Sequence, residues 1–352
     1  MKVNDFDDGL KFKKKRTSDL SFILRIVAIV FAMLIMFYLF YFLFNISDDN
    51  SYEIEQNGEK YGKSEFIKYQ GEIYVPVPSG GLYTLTDVDV ESFKALDSGG
   101  YIERIVGLDK NHVYFGNIPI PDLNPDTFYS IGNGYYSDEK NTYFCSASSE
   151  RNPELSTLTE VVQILTYSKS KSKKTQSYIY PYKKIETDKK LKSIENLYFF
   201  ATDGEKVYYK GEAVEGIDRN SFEIIRLDLA KDKDSLYFGN NKLDISSKGF
   251  SFLGNISNAP SAQVGINTSV YFKNFESIYY AVFDIEKNKV IKIKKIENAD
   301  KNSFKSLKND FAMDKGSVYY KGEKLEGVTY SQIEILEKSD KVDDRKVPGY
   351  RK

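Results

Sequence analysis

A long apolar run stands near the amino terminus. Residues 26–44 read IVAIVFAMLIMFYLFYFLF, 19 positions without a charge. A helix rises about 1.5 Å per residue, so this run spans most of the ~30 Å hydrocarbon core of a bilayer. The run is too long for the apolar region of a cleaved signal peptide, and residues 43–46 contain no pair of small residues for cleavage. The pattern predicts an uncleaved transmembrane helix over residues 21–45.

Charges on the two sides of this run predict its orientation. A KKKR cluster at residues 13–16 and Arg25 precede it, whereas Asp48 and Asp49 follow it and the next lysine is Lys60. Basic residues stay on the cytoplasmic side of a membrane. We therefore expect residues 1–20 to be a cytoplasmic tail, in a single-pass protein of the inner or plasma membrane. Residues 46–56 are then a linker to a periplasmic or extracellular domain.

Beyond the anchor, apolar positions recur in short runs that belong to two interleaved repeats. The first, here called the Asp-Tyr motif, is an Asp, three mostly polar residues, a residue such as Val or Leu, then Tyr and a second aromatic. Its copies are DKNHVYF, DEKNTYF, DGEKVYY, DKDSLYF and DKGSVYY, starting at Asp109, Asp138, Asp203, Asp232 and Asp314. The second, the Phe motif, has the copies DVESFKAL, NPDTFYSI, DRNSFEII and DKNSFKSL, starting at Asp89, Asn124, Asp218 and Asp300.

The two motifs alternate with a regular spacing. Tyr208 lies 14 residues before Phe222, which lies 15 residues before Tyr237, so one unit measures 29 residues. A longer period also exists, because a shift of 111 places residues 200–216 on a largely identical stretch at 311–327. Self-similarity of this kind indicates a repeat architecture, in which neighbouring units must stack to bury a core.

Each unit has the composition of short strands. Residues 207–217, VYYKGEAVEGI, are two β-prone runs around a Lys-Gly-Glu tip, and the opening Asp is typical of an Asx turn. With one strand from the Phe motif, the unit becomes a three-stranded meander. We therefore predict a mainly β fold over residues 57–336, made of tandem antiparallel β-meander or hairpin repeats in an elongated array or a propeller-like ring. Residues 337–352 are charged and aperiodic, which predicts a disordered tail.

Three further segments stand apart from these units. Residues 57–86 read as a degenerate cap, with strands around Val75 and Val77. The stretches 160–184 and 276–295 each read as two β-prone runs around a polar turn.

The alternating motifs resemble the DKNYY repeat family of bacterial proteins. The resemblance covers roughly residues 87–335, with gaps at the two long stretches, and no copy spells the family name in full. It implies an exported or membrane-tethered bacterial protein. It supplies no catalytic residue, cofactor or ligand that could be transferred to this chain.

Composition excludes several classes of function. The chain has 50 basic and 51 acidic residues, and residues 1–46 hold seven of the basic and four of the acidic ones. The remainder is mildly acidic, so a nucleic-acid partner is not expected. One His and one Cys exclude a metal site that needs two of either from one chain.

The remaining candidates for chemistry each have a simpler structural explanation. Asp218 with Asn220, Asp300 with Asn302, and Asp232 with Asp234 resemble the start of a calcium loop, but the turn Gly and the terminal acid of such a loop are missing. Asx turns account for them, so no metal site and no cofactor is predicted.

The lone His and the lone Cys also have simpler readings than catalysis. His112 stands where other repeats carry Lys, Ser or Asn, which indicates an exposed turn. Cys145 follows two strand aromatics, which favours a buried thiol over a nucleophile. We therefore predict no catalytic residue.

Acids and aromatics complete the inventory. Repeated acids such as Glu212 and Glu323 are poor candidates for a unique carboxylate pair of a glycosidase. The 28 Tyr and 24 Phe form either a core or a Tyr-lined face for glycan or peptide. The KSKSKK run at 169–174 reads as a solvated tip, or as a contact for anionic envelope polymers or lipid headgroups.

These features favour a non-enzymatic binding or scaffolding module of the cell envelope, whose partner is another envelope protein or a cell-wall glycan. An enzyme or enzyme accessory acting on envelope polymer, and a membrane-held inhibitor of the immunity type, are the alternatives. A polar pocket formed by non-repeated residues around His112 or the long hairpins would favour the enzyme.

Overall fold

The computed structural model describes residues 8–46, 51–96, 102–162, 176–194, 199–226, 228–253, 267–285 and 287–350. Helix α1 (Asp8–Ile46) contains the predicted membrane segment. Its portion Ser21–Tyr41 is long and apolar enough to cross a bilayer, and its large apolar side chains are exposed.

The predicted linker is partly helical, which corrects the sequence interpretation. Helix α2 (Ser51–Asn57) follows α1, and its Ile54 is 1% exposed. Ile54 packs against Ile67 and Leu82 of the first sheet. One apolar residue in a polar stretch therefore docks the segment, and sequence periodicity does not reveal such a single contact.

The β region of the described residues consists of seven four-stranded antiparallel sheets and one two-stranded ribbon. Sheet 1 comprises β1 (Glu59–Lys60), β2 (Ile67–Tyr69), β3 (Glu72–Val77) and β4 (Gly81–Thr84). Sheet 2 comprises β5 (Lys94–Ala95), β6 (Val106–Leu108), β7 (Val113–Phe115) and β8 (Ile118–Ile120). Sheet 3 comprises β9 (Tyr129–Gly132), β10 (Tyr135–Ser137), β11 (Thr142–Cys145) and β14 (Tyr182–Lys184), and the ribbon comprises β12 (Glu150–Arg151) and β13 (Tyr178–Ile179).

The remaining sheets follow in chain order. Sheet 4 comprises β15 (Lys192–Ser193), β16 (Phe200–Thr202), β17 (Val207–Tyr209) and β18 (Glu212–Ala213). Sheet 5 comprises β19 (Glu223–Arg226), β20 (Leu229–Lys231), β21 (Ser235–Phe238) and β22 (Asn241–Ser246). Sheet 6 comprises β23 (Ser251–Phe252), β24 (Asn267–Lys273), β25 (Ile278–Asp284) and β26 (Lys289–Ile296), and sheet 7 comprises β27 (Lys305–Ser306), β28 (Phe311–Met313), β29 (Val318–Tyr320) and β30 (Glu323–Leu325). Short 3-10 helices cover Ile102–Ile105, Arg219–Ser221 and Asp344–Lys346.

The mainly β prediction is confirmed, but the repeating unit has four strands and not three. The sequence predicts a single strand for the Phe motif and the residues that follow it. In sheet 5 these residues form two antiparallel strands, β19 and β20. The chain reverses between Arg226 and Leu229, where no Gly or Pro announces a turn. β20 is nearly buried on both faces, so it lacks the alternation that identifies a half-exposed strand. None of the described sheets closes into a barrel.

The chain folds into two compact units. Unit 1 contains Met1–Pro121 and Ser148–Pro181, which includes sheets 1 and 2 and the ribbon. Unit 2 contains Asp122–Ala147 and Tyr182–Lys352, which includes sheets 3 to 7.

In unit 2 successive sheets stack face to face. Tyr208 of sheet 4 packs with Tyr135 and Phe144 of sheet 3, whereas the next residue, Tyr209, packs with Tyr237 of sheet 5. Consecutive residues of a strand point to opposite faces, so each aromatic pair serves two interfaces. The same alternation continues between sheets 5 and 6 and between sheets 6 and 7.

The second long hairpin is confirmed and the first is not. Strands β25 and β26 pair over residues 278–296, as expected for the stretch 276–295. In the other stretch, residues 160–162 end a short helix, and residues 163–175 lie outside the described residues. The KSKSKK run at 169–174 lies outside the described residues.

The tail prediction is wrong for residues up to 350. Helix α3 (Tyr330–Glu337) and the 3-10 helix at Asp344–Lys346 pack on sheet 7. Ile333 is 0% exposed and Val347 4% exposed. Because these apolar residues are few and far apart in a charged stretch, they produce no periodic signal.

Candidate functional site

The Asp of the Asp-Tyr motif lies at the turn between the second and third strands of its sheet. In sheet 5, Asp232 is 5% exposed. Its Oδ1 accepts hydrogen bonds from the backbone N–H of Asp234 (2.9 Å) and of Ser235 (2.8 Å), which closes an Asx turn. Its Oδ2 accepts from the Tyr237 hydroxyl (2.8 Å) and from the Asp218 N–H (3.0 Å). The carboxylate therefore joins the turn, the third strand and the Phe motif.

The same network recurs along the chain. Tyrosine hydroxyls donate to the motif aspartate in sheets 2, 4, 5 and 7, at 2.8–3.1 Å. The first residue of the Phe motif donates its N–H to that aspartate in four sheets, at 2.7–3.0 Å; the pairs are Asp89–Asp109, Asn124–Asp138, Asp218–Asp232 and Asp300–Asp314. The two sequence motifs are thus the two halves of one hydrogen-bonded site.

The network controls the ionisation of both partners. Burial opposes ionisation of Asp232, but hydrogen bonds from the Asp218, Asp234 and Ser235 N–H groups and the Tyr237 hydroxyl outweigh it, so the pKa is lowered. The pKa of Asp109, Asp138, Asp203 and Asp314 is lowered for the same reason. Burial and the neighbouring carboxylate raise the pKa of Tyr208 and of Tyr319 to about 12.

An exposed ion pair accompanies the network in three sheets. The carboxylate that opens the Phe motif pairs with the lysine that follows the motif aspartate, at 2.5–2.8 Å; the pairs are Asp89–Lys110, Asp218–Lys233 and Asp300–Lys315. In sheet 3 the two positions hold Asn124 and Glu139, so both partners of the pair are replaced together. The pKa of Asp89 is lowered to about 2, first by the Lys110 ammonium and then by Ser92.

One copy of each motif was missed in the sequence. In sheet 6, Asn274 stands in place of the motif aspartate, and its Oδ1 accepts from the N–H of Glu276 (2.9 Å) and of Ser277 (2.8 Å). Its Nδ2 donates to the Ser246 carbonyl (2.9 Å). In sheet 4, Thr187 stands where the Phe motif begins, and its hydroxyl lies 3.5 Å from Asp203 Oδ2. The strings NFESIYY at 274–280 and TDKKLKSI at 187–194 keep the spacing of the motifs but lack their opening Asp.

The aspartates that resemble the start of a calcium loop accept hydrogen bonds from backbone N–H groups of the chain. Asp218 Oδ1 accepts from the Asn220 N–H, and Asp300 Oδ1 accepts from the Asn302 N–H. Within the described ranges, no three His, Cys, Asp or Glu side chains come together as a potential metal site.

His112 and Cys145 occupy separate positions. His112 Nδ1 lies 3.3 Å from the Tyr114 hydroxyl and 3.8 Å from Asp109 Oδ1, and its side chain is 40% exposed. Cys145 is a free cysteine with 0% exposure, and burial raises the pKa of its thiol well above its usual value. Such a thiol is a poor nucleophile.

The aromatic pairs of the Asp-Tyr motif form the core and not a binding face. In all six copies, including Tyr279 and Tyr280 of sheet 6, both aromatics are at most 7% exposed. A glycan-binding surface built from these tyrosines is therefore not available.

A small cleft with a cavity volume of about 40 Å³ lies between sheets 5 and 6, beside the long β25–β26 hairpin. Phe238 and Phe283 stack within it, with ring centroids 4.4 Å apart. Its other lining is also mostly apolar, and the polar lining residues are Arg226, Asp228 and Thr268. Burial raises the pKa of Asp228. The described residues near this hairpin thus form an apolar cleft, not a polar pocket.

Comparison with known proteins identifies the family. A model of the DKNYY family matches residues 66–242 and 245–348. The chain belongs to the DKNYY family. The matched segments include all six described copies of the Asp/Asn turn. Searches of curated proteins and of solved structures found no match.

Proposed function

We propose that this protein is a single-pass membrane protein whose β-sheets lie outside the cytoplasm and act as a non-enzymatic binding or scaffolding module in the cell envelope. Its partner is an envelope protein or a cell-wall glycan. The proposal combines an orientation, a mode of action and a class of partner, and each rests on a different feature of the chain.

The orientation rests on charge around α1. Basic residues precede the apolar segment and acidic residues follow it, which is the arrangement of a helix with its amino terminus inside. Outside the membrane, the same chain then carries seven small sheets within reach of envelope components.

The mode of action rests on one observation: the repeated aspartates already form their hydrogen bonds within the fold. Asp232 is buried and accepts four hydrogen bonds from its own chain. A general acid or base must instead reach a substrate proton within hydrogen-bond distance. The repeated aspartates therefore build the sheets, and the solvent-facing strand edges remain for recognition.

The long strand β26 offers such an edge. It is the outer strand of sheet 6 and, at eight residues, longer than the strands of the regular units. Lys289 and Lys295 are exposed on it, and Lys292 lies 3.7 Å from Glu323 of sheet 7. Lysines on an edge strand prevent unspecific strand pairing and provide charge for a partner of complementary charge.

Affinity capture tests the proposal. The full chain, solubilised in mild detergent and immobilised through its amino-terminal tail, is exposed to a solubilised envelope extract of the source cells. We expect one protein or one glycan to be retained stoichiometrically. A variant with Lys289→Glu and Lys295→Glu reverses the exposed charges on β26. We expect it to retain at least tenfold less partner than the wild-type chain, with unchanged hydrogen exchange in sheet 5. An extract from which nothing is retained contradicts binding, and turnover of envelope polymer by the purified chain would establish the enzyme alternative.

A further inference from the structure

Strand β26 is the longest outer strand of the described sheets. The order of sheet 6 is β23-β24-β25-β26, so β26 has a neighbour on one side only. Among the described residues, its backbone pairs with β25 alone. The other outer strands measure two to six residues, whereas β26 measures eight. Alternate residues of such a strand point their N–H and C=O groups away from the neighbour, so about half of these groups face outward.

A β-bulge divides this edge. Residues 292–296 pair one to one with residues 278–282 of β25, and the register shifts beyond them. Ile291 has no partner in this register and is 47% exposed. A bulge bends its strand and interrupts further pairing. Residues 292–296 are therefore a regular edge, and Ile291 is an exposed apolar contact at its end.

The side chains of this edge point to two different faces. Ile293 packs against the core shared with sheet 5, and Ile296 packs against the core shared with sheet 7. Lys292 and Lys294 lie on the sheet 7 side, where both ammonium groups share the single Glu323 carboxylate. A strand added beside β26 places its side chains next to those of β26 on each face. On the sheet 7 side it therefore meets two lysines that have only one acid between them.

The edge carries a positive charge that residues 47–352 lack as a whole. Those residues hold 43 basic and 47 acidic side chains. Residues 287–297, by contrast, contain five lysines and one acid, Glu297. The neighbouring outer strands β22 and β30 each hold one basic residue and one acid. The positive edge is thus specific to sheet 6 and is not a product of the repeat.

This charge decides between two occupants of the edge. Pairing with β26 of a second copy brings lysines next to lysines, and like charges on neighbouring strands are destabilising. A strand with acids at alternate positions instead gains ion pairs on the sheet 7 side and contacts Ile293 with its other side chains. The edge therefore favours an acidic, extended segment over a copy of itself.

We propose that residues 291–296 are a strand-addition site, at which an extended acidic segment of a partner protein becomes the fifth strand of sheet 6. The backbone of this segment pairs with the outward N–H and C=O groups of β26, which supplies affinity. Its alternate acids meet Lys292 and Lys294, which supplies specificity. The inference rests on the proposed function, because it selects a protein segment from the two classes of partner named there.

Synthetic peptides test the site. The probe is the blocked, fluorescein-labelled peptide TVEVEVEVT, titrated into the full chain in mild detergent and followed by fluorescence anisotropy. We expect saturable binding, about tenfold tighter than that of TVKVKVKVT and weaker in high salt. Amide exchange in residues 291–296 should slow on binding, and exchange in β22 should not change.

A charge-neutral variant tests the lysines. Lys292→Gln together with Lys294→Gln should weaken binding of the acidic peptide about tenfold. Lys242→Gln on β22 is the matched control, because it removes a lysine from the neighbouring outer strand, and it should leave the affinity unchanged. Hydrogen exchange in sheets 5 and 7 reports whether each variant is folded.

Backbone methylation distinguishes strand addition from a purely electrostatic contact. Two versions of the acidic peptide carry N-methyl groups on alternate residues, one on the glutamates and one on the valines. In an added strand, alternate N–H groups point toward β26 and the others point away. One version should therefore lose binding and the other should keep it. Equal affinities of the two versions would overturn the proposal.

Failure of this inference differs from failure of the proposed function. The site is refuted if the acidic peptide does not saturate the chain, or if the two glutamines leave its affinity unchanged in a folded chain. An envelope capture that retains only glycan also refutes the site but leaves the proposed function standing. An empty capture, together with peptide binding that depends on the methylated positions, refutes the envelope function and supports the site.

Discussion

Replacing Asp232 by asparagine separates the two functions of the turn carboxylate. The amide oxygen of the new side chain can still accept from the N–H groups of residues 234 and 235, as Asn274 does from the equivalent groups in sheet 6. Its amide nitrogen cannot accept from the Asp218 N–H or the Tyr237 hydroxyl. The substitution therefore leaves the Asx turn intact and breaks the connection between the two motifs.

The structure gives the size of the loss. Two hydrogen bonds to a charged acceptor disappear, and each contributes about 1.5–3 kcal/mol. The Tyr237 hydroxyl also donates to the Gly216 carbonyl at 3.0 Å, so it keeps one partner. We therefore expect the free energy of opening of sheet 5 to fall by about 3 kcal/mol, which corresponds to roughly a hundredfold change in the opening equilibrium.

Hydrogen exchange followed by mass spectrometry measures this change locally. Local measurement is needed because stacked units unfold in parts, so a global melting curve does not report one equilibrium. Peptides covering β20 and β21 should exchange about a hundredfold faster, and those of sheet 7 should not change. Asp234→Asn is the matched control, because that carboxylate is 60% exposed and takes part only in an exposed ion pair with Lys248.

A double substitution completes the test. Tyr237→Phe removes the hydroxyl that Asp232→Asn leaves with a single partner, so the two changes together should cost about 1–2 kcal/mol less than their sum. If Asp232→Asn alters exchange in β20 and β21 less than threefold, or if the two effects add, the carboxylate–hydroxyl contact does not hold the sheet together.

Four further outcomes follow from the structure. Asn274→Asp restores the repeat consensus but removes the amide that donates to the Ser246 carbonyl, so differential exchange should show sheet 6 destabilised by about 1–2 kcal/mol, not stabilised. Lys315→Ala breaks an exposed pair with Asp300, so hydrogen exchange should show sheet 7 destabilised by less than about 1 kcal/mol, with a smaller effect in high salt. The motif aspartates have a folded-state pKa below their unfolded value of 3.8. The stability that they contribute is therefore present above pH 3.8 and is lost as the pH falls through the folded-state pKa. Near-ultraviolet circular dichroism should show this loss below pH 3.8. Gly211→Ala places a Cβ at φ +81° and 2.9 Å from the Phe144 Cβ, so exchange in β17 and β18 should rise at least tenfold.

The sequence predicts the long apolar helix α1 and the repeat well because both depend on local signals. An uncharged run identifies α1, and fixed spacing identifies the units. The strands on either side of the Asp-Tyr turn follow from that spacing, and the structure places them as β16 and β17 in sheet 4. The Asx turn also follows from the local sequence, because Asp203 bonds the N–H groups two and three residues later.

Contacts between distant residues were not predictable in this way. The hydrogen bond from the Asp218 N–H to Asp232 joins the two motifs. The spacing of the motifs does not show which backbone groups the Asp232 carboxylate contacts. Asn274 and Thr187 perform their parts with a different functional group, so a search for Asp misses them. The packing of residues 329–350 on sheet 7 depends on Asp344, whose partners Tyr320 and Lys321 are 24 and 23 residues away, and on Val347, whose apolar partners are dispersed over the sheet.

Labelling with a membrane-impermeant maleimide tests the central claim, that the sheets lie outside the cytoplasm. A cysteine replaces either Glu326, whose side chain is 83% exposed in sheet 7's final turn, or Asp5 in the amino-terminal tail. The wild-type chain is the blank, because its single Cys145 is buried. In spheroplasts with an intact inner membrane, the account predicts labelling of the Glu326→Cys chain at once and of the Asp5→Cys chain only after lysis. Labelling of Asp5→Cys before lysis, with Glu326→Cys protected, would contradict it.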